Sequence, residues 1–186
     1  MKKTALILGF LLLLLAADPA RARSAPAVQG AAVKIQKVEP FAYFCLKHKG
    51  SFSAIQEVIQ RLMLESQSQN VFPSGPLMGV YYGNPEQVKP EQLEWEMGFP
   101  VTPHALVQPP LEKKEWNFTE VAVCLHKGSY EKTGETISKM MEWIEASGYA
   151  ADGPIMERYL DMDPEGMKPQ DLRTEIWIPV KSSQDR

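Results

Sequence analysis

The pattern of apolar and polar positions divides the chain into a short leader and two matching halves. Ala5 to Ala17 is an apolar run of 13 residues behind Lys2 and Lys3. A bilayer-spanning helix needs about 20 such residues. The run therefore predicts the core of a secretory signal peptide, with Ala20-Arg21-Ala22 as its small-x-small cleavage pattern. Cleavage after Ala22 is expected, with an uncleaved membrane anchor as the alternative. Residues 23–31 (RSAPAVQGA) have no period and predict a flexible tether.

Beyond the tether, β-rich segments at Ala32–Val38 and Phe41–His48 are interrupted at Pro40 and predict two strands joined by a tight turn. Gly50 and Ser51 punctuate, and Ser51 or Ser53 is suited to cap a helix. Ile55, Val58, Ile59, Leu62 and Met63 follow at i, i+3, i+4, i+7 and i+8, one apolar helical stripe. Strands are predicted at Leu77–Tyr82 and, after a Pro-rich loop, at Leu93–Val101. The order then recurs. Strands are predicted near Val107–Trp116 and Thr119–His126, a helix over Glu131–Ser147 with Ile137, Met140, Met141 and Ile144 inward, and strands at Ile155–Leu160 and Leu172–Val180.

The recurrence extends to residue identity. His48-Lys49-Gly50-Ser51-Phe52 returns as His126-Lys127-Gly128-Ser129-Tyr130, an offset of 78 shared by Gly75-Pro76 with Gly153-Pro154 and by Tyr81 with Tyr159. One inserted residue shifts the offset to 79. Asn84-Pro85 then matches Asp163-Pro164, Lys89-Pro90 matches Lys168-Pro169, and Leu93, Glu96 and Pro100-Val101 match Leu172, Glu175 and Pro179-Val180. An ordered series of matches with a single shift marks an internal duplication. Repeat one spans 32–101, a linker 102–106, repeat two 107–181, and 182–186 is a polar tail. One repeat offers a marginal core; two packed together predict a domain of α+β class.

Composition narrows the functional classes. With 44% apolar residues and net charge −3 the chain is neither disordered nor collagen-like, and two Cys exclude a zinc ribbon or a disulfide scaffold. A pI near 5.7 gives no electrostatic case for nucleic acid. Loss of Lys2, Lys3, Arg21 and Asp18 with the leader would leave 17 basic and 22 acidic residues. The expected product is exported, periplasmic or secreted, without stable membrane insertion.

The strand–strand–helix–strand–strand order, twice, with HKGSF/HKGSY, Gly-Pro before each third strand, the DP-x-x-x-K-P loop and the closing TEIWIPV, resembles the GyrI-like small-molecule-binding domain. That domain also serves as the effector-binding module of AraC-type and MerR-type regulators. The resemblance covers residues 32–181. It implies a pseudo-twofold antiparallel sheet, two helices packed on it and a central ligand cleft between the repeats. No helix-turn-helix motif accompanies the domain in this sequence, and the export signal would hold the chain away from DNA, so a transcription-factor role is not expected.

On the last strand Glu175, Trp177 and Pro179 share one face and Thr174, Ile176 and Ile178 the other, the natural core face. The resemblance implies that Glu175 lies at the pocket floor and meets a cationic, often aromatic ligand, with Trp177 as a wall; the alternative is a solvated strand glutamate. Glu96, its repeat counterpart, is either a pocket residue or part of a solvated face with Glu94. Tyr81 and Tyr159 either line the cleft or pack in the core with their hydroxyls toward solvent. His48 and His126 belong to the repeated motif and have no acidic or Cys residue at ligand spacing, so they read as structural, and neither a metal nor a cofactor is expected. The repeat alignment puts Cys45 and Cys124 out of phase on opposite sheet faces, which predicts two buried thiols rather than a disulfide. Met63, Met78, Met140, Met141 and Met156 read as core filler.

These residues predict an exported protein that binds a small amphipathic, cationic or aromatic molecule. One alternative, which some GyrI-like proteins suggest, is a hydrolase of reactive cyclopropane-containing compounds with Glu175 as the catalytic group. Another is a module that docks on an envelope protein, which would show an exposed apolar patch.

Overall fold

A computed structural model of the chain describes residues 32–83, 87–161 and 166–184. The segments predicted as signal peptide and tether, residues 1–31, lie outside the described residues, as do Asn84-Pro85 and Asp163-Pro164. Strands β1 (Lys34–Lys37) and β2 (Phe41–Lys49) precede helix α1 (Ile55–Ser68), β3 (Met78–Tyr82) and β4 (Glu94–Pro100). Strands β5 (Glu112–Trp116) and β6 (Glu120–Lys127) precede α2 (Thr133–Ala146), β7 (Tyr149–Ala151), β8 (Ile155–Tyr159) and β9 (Arg173–Ser182). The α1 span maps onto α2 at the offset of 78, and the β4 and β9 starts at 79, so the duplication read from residue identities is also one of structure. The short β7, which pairs the end of β9, has no counterpart in the sequence reading.

All strand pairings are antiparallel, in the order β1-β6-β9-β8-β3-β4-β2-β5. β3 and β8 form the centre of this pseudo-twofold array. The first two strands are not partners of one another: β1 pairs β6 of the second repeat, and β5 returns to pair β2 of the first. The repeats have thus exchanged their first strands. The exchange also sets the shape of the sheet. Four peptide steps from Lys37 to Phe41 reach at most about 14 Å. In a flat sheet the six strand spacings between β1 and β2 would need about 29 Å. The sheet must curl until its ends approach, and Phe41 on β2 meets the Trp177 ring on β9 with centroids 6.4 Å apart.

Curling gives the domain two kinds of interior. On the outer face α1 covers Phe44, Leu46, Trp95 and Met97, and α2 covers Ala122, Cys124, Ile176 and Ile178. Thr174, Ile176 and Ile178 are fully buried there. On the inner face the strands cover one another, burying Tyr43, Cys45, Met78, Val80, Trp116, Met156 and Trp177 without a helix. Cys45 and Cys124 are buried thiols on these opposite faces. Met140, Met78 and Met156 are core residues, whereas Met63 and Met141 are about 40% exposed at equivalent places on the two helices. Both sit at the lateral edge of their stripe, where about 100° per residue turns the side chain off the buried face. No helix among the described residues is long and apolar enough to cross a membrane.

Candidate functional site

The two central strands bring Tyr81 and Tyr159 together on the helix face, where their hydroxyl oxygens are 2.7 Å apart. Tyr159 donates in turn to Glu157 Oε2 at 2.9 Å, so with the carboxyl ionised the chain of donors runs Tyr81 to Tyr159 to Glu157. Glu157 is 6% exposed. Burial pushes its carboxyl above the ordinary 4.5, against opposing hydrogen bonds from Thr133 and Tyr159. Burial and the neighbouring Tyr81 and Glu157 likewise hold the Tyr159 hydroxyl well above the usual phenol range, so it stays protonated and remains a donor. Tyr81 shifts the same way, mainly through burial.

The repeated His-Lys-Gly-Ser-aromatic motif builds the walls. After each β-strand the glycine turns the chain at a φ near +143°, a region open to glycine (Gly50 +142°, Gly128 +144°). A Cβ at Gly50 would lie 3.0 Å from Nε2 of His48, and one at Gly128 3.1 Å from Nε2 of His126. The histidines therefore lie against their own turns. His126 is held by Thr136 at 2.8 Å and the Ser129 carbonyl at 3.2 Å, and His48 packs on Trp95. Ser51 then accepts from the Ser53 N–H and caps the first turn. The last motif residue is carried over the central strands: Phe52 meets Tyr81 edge-on at 5.4 Å, and Tyr130 meets Tyr159 edge-on at 5.1 Å. All four rings are half-buried, so part of this aromatic cluster is open to solvent.

Two positions break the symmetry of this cluster. Gly79, cross-strand partner of Glu157, is also its repeat counterpart. At offset 79, Trp95 in the first repeat becomes Thr174 in the second. Trp95 fills its side and donates to the Gly50 carbonyl at 2.9 Å. Thr174 is smaller, fully buried and paired in register with Tyr159, and its hydroxyl has no hydrogen-bond partner among the described residues. A buried hydroxyl left unpaired costs about 1–3 kcal/mol. The second repeat thus holds the acid, the spare hydroxyl and the smaller side chain on one side of the pseudo-dyad.

The other predicted residues lie on the inner face. Directly opposed antiparallel residues share a face; Tyr159 opposes Thr174, so Tyr159 and Glu175 point to opposite sides of the sheet. Glu175 is bound by the Arg158 guanidinium and by Trp177 Nε1 at 2.9 Å. Arg158 also lies over the Trp177 ring, 4.6 Å from its centroid. Glu96 is fully buried and accepts from Tyr43 at 2.6 Å, Tyr82 at 3.1 Å and the Lys114 ammonium. Burial works against the Lys114 charge, but Glu96 outweighs it and holds the ammonium above its ordinary pKa. Each inner carboxylate therefore already has a cation from this chain.

Sequence reasoning named Tyr81 and Tyr159 but not Glu157, Phe52, Tyr130 or Thr174. The signals were present in part: Phe52 and Tyr130 close the repeated motif, and Glu157 lies two residues before Tyr159, hence on the same strand face. Among the described residues no group of His, Cys, Asp or Glu is arranged to hold a metal ion.

Comparison with known proteins places this geometry. The family model of the GyrI-like small molecule binding domain matches residues 31–181. A DNA gyrase inhibitor of Erwinia billingiae is 28% identical over 133 residues, covering 69% of this chain and 83% of that protein. The fold is similar to the EcmrR C-terminal domain (TM-score 0.71, 16% identity, 82% of this chain and 98% of that one). EcmrR in its complex with DNA also matches, over 58% of its own length (TM-score 0.72, 16% identity, 82% of this chain). SAV2435 bound to tetraphenylphosphonium has the same fold (TM-score 0.57, 13% identity, 83% of this chain and 96% of that one), as does a hydrolase from Listeria innocua (TM-score 0.61, 14% identity, 80% and 91%). This chain belongs to the family of GyrI-like small-molecule-binding domains.

Proposed function

We propose that the protein is an exported binder of a small amphipathic molecule, cationic or aromatic, that lodges on the helix face across β3 and β8. In this reading Glu157 takes the part the sequence assigned to Glu175, and the rings of Tyr81, Tyr159, Phe52 and Tyr130 form the walls. The observation that carries it is a buried, raised-pKa carboxyl joined directly to a tyrosine within a cluster of four half-buried aromatic rings. Such an acid gains little from water and much from a ligand cation, while ring faces add about 0.5–2 kcal/mol each. Glu175 and Glu96 are weaker candidates because a ligand cation would have to displace Arg158 or Lys114. The fold-similar SAV2435 is described with the aromatic cation tetraphenylphosphonium, which makes that ion a suitable probe. Export rests on Lys2, Lys3, the run Ala5–Ala17 and Ala20-Arg21-Ala22.

The test is thermal shift with tetraphenylphosphonium and its neutral analogue triphenylphosphine oxide, on wild type and Glu157→Gln. Stabilisation by the cation that is lost in the variant supports the reading. Equal stabilisation of both proteins by the cation refutes the role of Glu157. Export is tested by fractionation and N-terminal sequencing, with Arg23 as the expected first residue.

One observation also favours a hydrolytic reading. A carboxyl whose pKa is raised by burial, beside a protonated tyrosine, is suited to deliver its proton to a carbon leaving a strained ring, while water adds its hydroxyl to the other carbon and returns its proton to Glu157. Turnover of a cyclopropane-containing electrophile that disappears in Glu157→Gln would separate this from binding alone.

A further inference from the structure

The inner face of the sheet holds a cleft of about 350 Å³ between β3, β5 and the turn that follows β5. Tyr43, Tyr82, Lys114, Trp116 and Phe118 line it. Lys114 on its wall is paired with the fully buried Glu96 behind it, and both carboxylate oxygens of Glu96 are already engaged. Glu96 Oε1 takes both tyrosine hydroxyls, and Oε2 takes the ammonium. An ammonium has three N–H groups; Glu96 takes one and the Tyr82 hydroxyl oxygen another, which leaves one for a ligand. The Lys114 side chain keeps 22% of its surface accessible and stands 5.7 Å from the Tyr82 ring centroid. The cleft therefore offers a ligand one hydrogen-bond donor and aromatic faces. The paired charges cancel, and Glu115 adds a further carboxylate to the lining, so an anion is disfavoured.

The second repeat has no twin of this arrangement. At the repeat offset Lys114 corresponds to Gln36, Tyr43 to Val121 and Tyr82 to Leu160. A buried ion pair is weak evidence for added stability, since apolar residues of similar volume commonly serve as well. Glu96 does, however, fix the ammonium at one point on the cleft wall.

We propose that this cleft is a second small-molecule site, distinct from the helix-face site, which takes an uncharged planar aromatic molecule bearing a carbonyl oxygen. The oxygen accepts from Lys114 and the ring system packs against Tyr82 and Trp116. The sheet itself separates the two sites, so each is expected to fill without the other.

Coumarin is the probe, with coumarin-3-carboxylate as its anionic analogue, followed by calorimetry on wild type, Lys114→Gln, Tyr82→Ala and Glu157→Gln. The expected result is coumarin binding to wild type and to Glu157→Gln with equal affinity, undisturbed by saturating tetraphenylphosphonium, and at least tenfold weaker binding of the carboxylate. Tyr82→Ala, at a position 38% exposed and therefore tolerant of truncation, should weaken coumarin at least tenfold with its circular dichroism unchanged. It decides the matter if Lys114→Gln does not fold. Absence of coumarin binding to folded wild type would overturn the proposal, as would displacement by tetraphenylphosphonium or loss of binding in Glu157→Gln with Tyr82→Ala unaffected.

Discussion

The two repeats share a backbone but hold their charged groups differently. In the first, Glu96 is sealed in the inner face with Lys114 and two tyrosines, and the helix-face positions are Gly79 and Trp95. In the second, Glu175 is partly accessible with Arg158, and the helix-face positions become Glu157 and Thr174. Duplication supplied a symmetric frame. Substitution at equivalent places then closed one repeat with a tryptophan and opened the other around an acid. The asymmetry at the pseudo-dyad, more than the fold, gives the helix-face cluster a direction.

The difference between the two ion pairs should appear as the largest stability effect. Lys114→Met leaves a fully buried carboxylate without its cation and should cost roughly 3–5 kcal/mol in urea unfolding. Arg158→Met, at a pair about a quarter exposed on each side, should cost about 1 kcal/mol or less. Similar costs for the two variants would remove the contrast between the repeats. Next in size is Gly98→Ala. Gly98 is the counterpart of Trp177 at offset 79, and an added Cβ would collide with the Phe44 carbonyl oxygen of the neighbouring strand. Because backbone cannot step aside as a side chain can, destabilisation of about 1–3 kcal/mol is expected. A melting temperature equal to wild type would show that β2 and β4 are less tightly apposed than the structure has them.

A pH effect on stability should be traceable to Glu157. Its folded pKa is raised above the ordinary 4.5 by burial, so the native state binds more protons than the unfolded one above that pH. Stability should therefore be greatest below about pH 4.5 as far as this group is concerned, and fall as pH rises through the folded pKa. Glu157→Gln should flatten that decline and be at least as stable as wild type at pH 7, measured by thermal melts from pH 4 to 8. An unchanged pH profile in the variant would mean the carboxyl is not desolvated. A modest effect of about 1 kcal/mol is expected in thermal melts of Tyr81→Phe, which removes one hydroxyl from the chain to Glu157.

Much of the fold was legible because periodicity and duplication reinforce each other. The stripe from Ile55 to Leu62, the offsets of 78 and 79, and the alternation of Thr174, Ile176 and Ile178 each survive in the structure. The exchange of β1 and β5 was not legible, since a short link after Lys37 is compatible with a hairpin or a crossover, and only pairing with the distant β6 decides between them. The site was half legible for the same reason. Alternation along one strand places Glu175 beside Trp177, but whether Tyr159 joins them depends on the register between β8 and β9, a nonlocal property. Glu157 was hidden by its counterpart: a search for repeated residues passes over the position where one repeat has glycine and the other an acid. Arg158 and Lys114 were missed because nothing local to either residue indicates that it will neutralise a carboxylate on another strand.

The most direct test is the titration of the Glu157 carboxyl by carbon-13 NMR, alone and with saturating tetraphenylphosphonium, with Glu96 and Glu175 followed in the same spectra. The Glu157 pKa should lie above 4.5 in the free protein and fall when the cation binds, because ligand charge replaces the solvation that burial removed. A cation that binds without moving Glu157, or that moves Glu175 instead, would contradict the account and return the site to the inner face.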